Sequence, residues 1–375
     1  MTKKVIINIS TIRVGGGVQV AINLINESFL NNKFDFYYIT NKVMFAKIST
    51  PPEKTLIVSD FPSSPFNIKV KKSIKEFVQV IDADLIYSVG APSYVSFDRV
   101  EVLRLTNPWL IERDIIAYKL FPFLSKMKLK LSCYIKKRYL RKPKYFITQT
   151  EDAKSKIVGN LKKNADDVFV ISNTYSYNLR PYVNIEYKRD YTNEINILCL
   201  AAPYVHKNLD ICVEIAQILE VRGIRNIRFF LTIADEEWEK SSIYNKIQKR
   251  NLSSYFVNEG RVELSELPDL YTKAHIFFLP TLLEVFSVSL LEAMVFQLPI
   301  LTTNFGFNKT VCGDAAVYCK EHFNAQLFLD HIMNIVQNED LRHRLVVSGR
   351  EKINKYNSNI YDEHFKVLGE IIERH

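Results

Sequence analysis

The sequence predicts an α/β protein made of two doubly wound parallel-sheet domains facing each other across a cleft. Three observations predict it. A β-branched run near the N-terminus passes through a glycine loop into an apolar pattern of helical spacing. The same order of strand, loop and helix starts afresh near residue 195. The 375 residues also exceed what one core usually organises, roughly 100 to 200 residues.

The first strand is KVIINIS, from Lys4 to Ser10. After it come Gly15, Gly16 and Gly17, then Val18, Val20, Ala21, Leu24 and Ile25 at helical spacing. Further strands are expected at residues 36–39, 55–58, 84–88, 100–105, 145–148 and 168–171. Residues 173–194 are polar, tyrosine-rich and aperiodic, which reads as an interdomain linker. The expected N-terminal domain is therefore 1–180 and the C-terminal one 190–357, with a last helix at 358–375 able to pack back on the first domain. In the second half a strand at 195–200 leads into a loop at 201–208 and a helix marked by Leu209, Cys212, Ile215, Ala216 and Leu219. Strands at 228–233, 276–279 and 300–303 complete that half. In sheets of this kind ligands bind outside the carboxyl ends of the strands.

Composition narrows the class. Hydrophobic residues make up 47% and charged residues 24%, the profile of a folded globular chain. The start MTKKVIINIS lacks the long apolar stretch of a signal peptide, and the most apolar segment, 274–291, is interrupted by Pro280 and Glu284. Five cysteines (Cys133, Cys199, Cys212, Cys312, Cys319) form no CxxC pair, which fits a reducing cytoplasm and argues against a structural zinc site. The net charge of +9 points to an anionic partner without choosing among nucleic acid, membrane and phosphorylated substrate.

The most informative segment is PTLLEVFSVSLLEAMVFQLPILTTNFG, Pro280 to Gly306. A strand ends at Pro280, a loop carries Glu284 and Phe286, and a helix begins near Ser287, Val288 and Ser289. The unpaired N–H groups and positive dipole end of a helix start can hold a diphosphate. Glu292, about a turn further on, would accept hydrogen bonds from ribose hydroxyls, and Glu284 would face the sugar. Ser289 and Glu292 also have the spacing of a capping box, so from spacing alone both readings stand.

This segment resembles the family 4 glycosyltransferases of the GT-B fold, whose signature is a glutamate, seven residues, and a second glutamate followed by Ala-Met. Here that is Glu284, VFSVSLL, Glu292, Ala293 and Met294. LPILTTNFG resembles the family's return strand and glycine loop, and VCGDAAVYC (311–319) its next turn; GRVELSELPDLYTKAHIFFLPTLLE from Gly260 follows the family's order upstream. The resemblance covers nearly all of 195–320 and implies two Rossmann-like domains, an N-terminal acceptor domain and a C-terminal nucleotide-sugar domain. In the segment Pro203 to Asn208 the family's phosphate-binding lysine corresponds to Lys207, with His206 beside it. The first glycine loop, with Gly16 and Gly17, would lie beside the donor phosphates.

Two departures stand out. Ala201 occupies the place of an arginine the family usually carries six residues before that lysine. All seven histidines lie at His206 or later, so the usual N-domain histidine is missing, and Thr106 or Asn107 is nearest its place. An uncharged Thr106 there implies a donor outside the common glucose type, such as a 6-deoxy sugar.

The resemblance further implies retention of anomeric configuration, no metal and no cofactor, and a bacterial surface-polysaccharide role of O-antigen, lipopolysaccharide or capsule type. The donor would be a UDP, GDP or dTDP sugar and the acceptor a glycan or lipid-diphosphate-linked glycan. No DxD-like carboxylate pair is present in a plausible loop. Lys207 and Glu284 are the expected catalytic residues. Residues 119–144 hold ten Lys or Arg and no acid, interleaved with leucines and aromatics, which suits peripheral contact with an anionic membrane on the cytoplasmic side. The same stretch also reads as a solvated lysine face of a helix packed on the N-terminal sheet. Two other functions share the fold, a nucleotide-sugar epimerase and a catalytically degenerate binding partner. No nucleic-acid-binding signature accompanies the basic run.

Overall fold

The computed structural model describes residues 2–13, 16–64, 67–356 and 360–375. It divides into two compact units, one of Met1–Arg113, Phe123–Ser172 and Asn359–His375, the other of Asp114–Pro122 and Asn173–Ser358.

The first unit is built on seven strands: β1 (Lys3–Asn8), β2 (Phe34–Asn41), β3 (Thr55–Val58), β4 (Leu85–Val89), β5 (Val100–Arg104), β6 (Tyr145–Thr148) and β7 (Val168–Val170). They pair in the order β3-β2-β1-β4-β5-β6-β7, every pair parallel. Parallel strands need helical crossovers that cover both sheet faces, so the central strands read as unbroken apolar runs. Val5, Ile6 and Ile7 of β1 and Leu85, Ile86 and Tyr87 of β4 are fully buried. β4 begins one residue later than expected because Asp84 turns its carboxylate onto the start of β1, accepting from Lys4 N at 2.8 Å and Lys3 Nζ at 2.9 Å.

The loop after β1 is pinned to the end of β4. Thr11 Oγ1 donates to the carbonyl of Gly90 at 2.6 Å. Gly90 has φ +89, and a Cβ there would lie 3.0 Å from Thr11 Oγ1 and 3.1 Å from Ile12 Cγ1, so glycine meets both the backbone and the space requirement. Gly16 and Gly17 open the helix Gly16–Phe29, whereas Gly15 lies outside the described residues. The helix Ile360–Glu373 also belongs to this unit. It buries Phe365, Leu368 and Ile371 against the core around β1 and β4, and His364 Nδ1 lies 3.0 Å from Tyr87 Oη. Residues 357–359, where this helix was expected to start, lie outside the described residues.

The second unit has six strands: β8 (Ile195–Cys199), β9 (Ile227–Leu231), β10 (Phe256–Asn258), β11 (Ile276–Leu279), β12 (Ile300–Thr303) and β13 (Ala316–Cys319). Their order is β10-β9-β8-β11-β12-β13, again all parallel. β10 and β13 are short edge strands that the sequence did not reveal. The stretch 311–319, expected as a turn, closes one helix at Cys312 and then forms β13.

Residues 173–194 are not a free linker. Tyr175 and Leu179 are buried with Tyr271, Leu291 and Phe296 in a core cluster of the second unit. Arg189 donates from Nε to the carbonyl of Ala274 at 2.6 Å and from Nη2 to that of Phe296 at 2.8 Å. Both carbonyls stand at helix C-termini, where the last turn leaves acceptors without intrahelical partners. The segment looked aperiodic because its contacts are tertiary.

Candidate active site

In the second sheet β8 lies between β9 and β11, with Ile197 opposite Ile276 and Leu198 opposite Phe277. The chain order reverses there, and loops leaving the carboxyl ends of β8 and β11 are neighbours. That adjacency joins residues far apart in sequence.

The loop after β8 ends in a tight turn, Val205–Lys207, closed by Asn208 in the left-handed conformation at φ 56. Asparagine tolerates this conformation better than most residues, and its side-chain amide donates to the carbonyl of His322 at 3.0 Å. The loop after β11 docks on this turn. Leu282 N donates to the His206 carbonyl at 2.8 Å, and Thr281 Oγ1 reaches the same carbonyl at 3.3 Å. Thr303 Oγ1 in turn donates to the Thr281 carbonyl at 2.6 Å.

This scaffold brings the two expected catalytic residues together. Lys207 Nζ donates to Glu284 Oε1 in a salt bridge whose side chains are 17% and 14% exposed. Thr281 Oγ1, not anticipated from the sequence, donates to the same Glu284 oxygen at 3.2 Å. Removal of charges from water weakens screening, so such a pair is held more firmly than one on the open surface. His206 is stacked on Tyr204, with centroids 5.7 Å apart and planes 6° from parallel. Burial holds the His206 imidazole down at about 4 despite the nearby Glu284 carboxylate, so it is neutral near pH 7. Lys207 therefore supplies a positive charge that its neighbour His206 does not.

Beyond Glu284 the chain enters the helix Val288–Val295, with Ser287 at its N-cap position. Ser287 makes no side-chain cap; its hydroxyl pairs with that of Ser289 at 2.8 Å. The capping-box alternative is thus not realised, since Ser289 lies inside the helix and Glu292 points elsewhere. Leu290 N turns back to the Ser287 carbonyl at 3.3 Å, and the amides ahead of it, Ser287 to Ser289, carry no cap from the Ser287 side chain and can face an anion with the helix dipole behind them. Phe286, Ser287 and Ser289 are buried and Val288 half-buried around this helix start.

Glu292 is 5% exposed and is held by two side chains unforeseen from the sequence: Tyr271 Oη donates to Oε2 at 2.9 Å and Ser176 Oγ to Oε1 at 3.2 Å. Burial pushes its carboxyl above the usual range against the opposing effect of both hydrogen bonds. The Tyr271 ring stacks on Phe296, with centroids 5.1 Å apart. A carboxylate offers about four acceptor positions, and among the described residues Tyr271 and Ser176 take two of Glu292's. Ala201, in place of the expected arginine, is buried and brings no charge.

Another contact comes from the segment leading into the basic run. Asp114–Pro122 belongs to the second unit, and its turn Ile116–Leu120 packs against Val205–Lys207, with Ala117 fully buried. Of the remaining expected site residues, Gly16, Gly17, Thr106 and Asn107 belong to the first unit. Thr106 is exposed just past β5, and Asn107 caps the helix Pro108–Ile111 by accepting from Trp109 N at 3.1 Å. Among the described residues no group of three His, Cys, Asp or Glu could hold a metal ion.

Comparison with known proteins bears on the fold. Residues 185–352 match the family model described as glycosyl transferases group 1. No curated protein sequence matches the chain. A glycosyltransferase from Rickettsia africae ESF-5 superimposes with a TM-score of 0.73 at 15% identity, covering 100% of both chains. Alr3699/HepE of Anabaena, solved with UDP, gives 0.69 at 12% identity over 98% of this chain and 100% of its own. WaaG, a glycosyltransferase involved in lipopolysaccharide biosynthesis, gives 0.69 at 14% identity over 95% and 96%. The chain has the two-unit GT-B fold, and residues 185–352 of it are similar to the glycosyl transferases group 1 family.

Proposed function

We propose that the chain is a hexosyltransferase that moves a sugar from a nucleotide-sugar donor to a lipid-linked glycan acceptor, with retention and without a metal, in bacterial surface-polysaccharide synthesis of the O-antigen or capsule type. The carrying observation is the union of Lys207 and Glu284 beside a helix start whose amides have no side-chain cap. When the bond from the anomeric carbon to the diphosphate breaks, charge grows on the diphosphate oxygen. Lys207 and the amides at Ser287 to Ser289 stabilise that charge. The acceptor oxygen takes the bond that the diphosphate gives up, and its proton leaves with the diphosphate. Glu284 orders the sugar, and the remaining acceptor positions of Glu292 receive the ribose. Support for a nucleotide-sugar donor comes from HepE, which has also been solved with UDP-glucose; support for the polysaccharide role comes from the described role of WaaG. Work at the cytoplasmic face of the membrane follows from a lipid-linked acceptor.

A second reading, a degenerate binding partner, is favoured by Ala201 in the arginine's place. A thermal-shift panel of UDP, GDP, dTDP and CMP compounds, followed by donor turnover with the matching sugars, separates the two. One base class should raise the melting temperature, since a ligand at about 100 times its Kd stabilises by roughly 2.7 kcal/mol, and its sugar nucleotide should be consumed. Nucleotide binding without consumption or transfer would favour the binding partner. No stabilisation by any nucleotide would overturn the donor site itself.

A further inference from the structure

The helix Phe123–Tyr139 is turned the opposite way from an ordinary surface helix. Such a helix buries its apolar stripe and shows its charges to water. Here Phe123, Leu124, Met127, Leu131, Tyr134 and Ile135 are all exposed, Phe123 and Leu124 at 73% each. At 3.6 residues per turn these six fall within one arc of roughly 120°. The opposite arc is the packed one: Cys133 is buried, and Leu129, Lys126, Lys136 and Lys137 are half-buried there. The alternative of a solvated lysine face over buried leucines is therefore reversed. A contiguous apolar face of this kind marks an interaction surface.

Beside its C-terminal end lies a cavity of about 410 Å³ lined by Val95, Ser96, Ile135, Arg138, Tyr139 and Lys142. Apolar walls and two cations in one small cavity suit a ligand with an anionic head and a hydrocarbon tail. Lys128, Lys130 and Arg138 stand on the exposed side of the helix, and residues 119–144 contain no acid.

We infer that this helix face and its cavity seat the protein on an anionic phospholipid bilayer, with the six apolar side chains entering the interface and the cations meeting phosphate headgroups. Charge selects this occupant over a second copy, because two copies meeting through this face would bring like-charged runs together. Among the described residues no helix is long and apolar enough to cross a membrane, so the helix lies in the interface plane. The surface shares no residue with the Lys207–Glu284 site, and the inference holds whether or not the chain transfers sugar.

The full chain is to be sedimented with vesicles of phosphatidylcholine and with vesicles that also contain phosphatidylglycerol, at low and high salt. It should pellet with the anionic vesicles, less so at high salt, and stay in solution with phosphatidylcholine alone. Phe123→Ser with Leu131→Ser should weaken binding by about tenfold or more, given what each large apolar side chain gains on burial. Lys128→Glu with Arg138→Glu should weaken it by a similar factor, through the phosphatidylglycerol-dependent part. All four positions are exposed or on the exposed arc, so unchanged melting temperatures are expected and check the fold. Glu284→Ala should bind vesicles like the parent, which keeps failure of this inference distinguishable from failure of the transferase reading. Equal pelleting with both vesicle types, binding indifferent to the apolar pair, or a dimer in sedimentation velocity that the apolar pair dissolves would each overturn the inference.

Discussion

Replacement of Lys207 by Met separates a phosphate-binding lysine from a purely structural ion pair. The substitution leaves Glu284 with Thr281 at 3.2 Å and no cation. Removal of one partner from a fully buried pair costs about 3 to 5 kcal/mol. Side chains 17% and 14% exposed admit some water, so about 2 kcal/mol is the expected cost after screening. For a unit of this size that lowers the melting temperature by roughly 4 to 8 °C. Turnover should fall further than stability explains, by about 10² to 10³ in kcat, the range for loss of one group that stabilises developing charge. The decisive protein is the double variant Lys207→Met with Glu284→Gln. With both charges gone no carboxylate is stranded, so the melting temperature should return most of the way to the parent's. Turnover should stay low, because the diphosphate still lacks its cation. Calorimetry and initial rates on the donor identified by the nucleotide panel give both quantities. If the double variant regained activity along with stability, the pair would be a structural clasp. Near-parental kcat in Lys207→Met alone would refute the assignment as directly.

Two further outcomes test the surrounding chemistry. Glu101 on β5 is buried, accepts from Ser88 Oγ at 2.7 Å, and burial raises its carboxyl from 4.5 to about 7. Below the unfolded value both states hold the proton and stability is at its maximum; between 4.5 and about 7 the unfolded chain has released the proton while the folded one keeps it, so roughly 3 kcal/mol is lost across that window and no more above it. Glu101→Gln should flatten the stability profile between pH 4.5 and about pH 7 in denaturant titrations, and parallel slopes in the two proteins would disprove the assignment. Tyr271→Phe leaves buried Glu292 with Ser176 alone, which should cost about 1 to 3 kcal/mol and weaken binding of the nucleoside diphosphate; an unchanged melting temperature would show that Tyr271 does not hold this carboxylate.

The sequence by itself determined the strands and their class. KVIINIS and the runs at 195–200, 276–279 and 300–303 are buried on both faces of parallel sheets, and such strands announce themselves as continuous apolar segments. Short edge strands such as β10 and β13 carry too few residues to make a pattern. The glutamate pair at 284 and 292 was legible as spacing along one loop and helix. Only the tertiary structure set Lys207 against Glu284, because that meeting depends on β8 and β11 being neighbours at the point where strand order reverses. The same holds for Glu292, whose partners Ser176 and Tyr271 come from a segment that looked like a linker and from a separate helix. The outward turn of the basic helix was beyond reach for a different reason. In Lys126-Met127-Lys128-Leu129-Lys130-Leu131 cations and apolar residues alternate every second position, which distributes both kinds around a helix of 3.6 residues per turn. Such a pattern does not say which arc faces inward; the neighbours packed against Cys133 decide it.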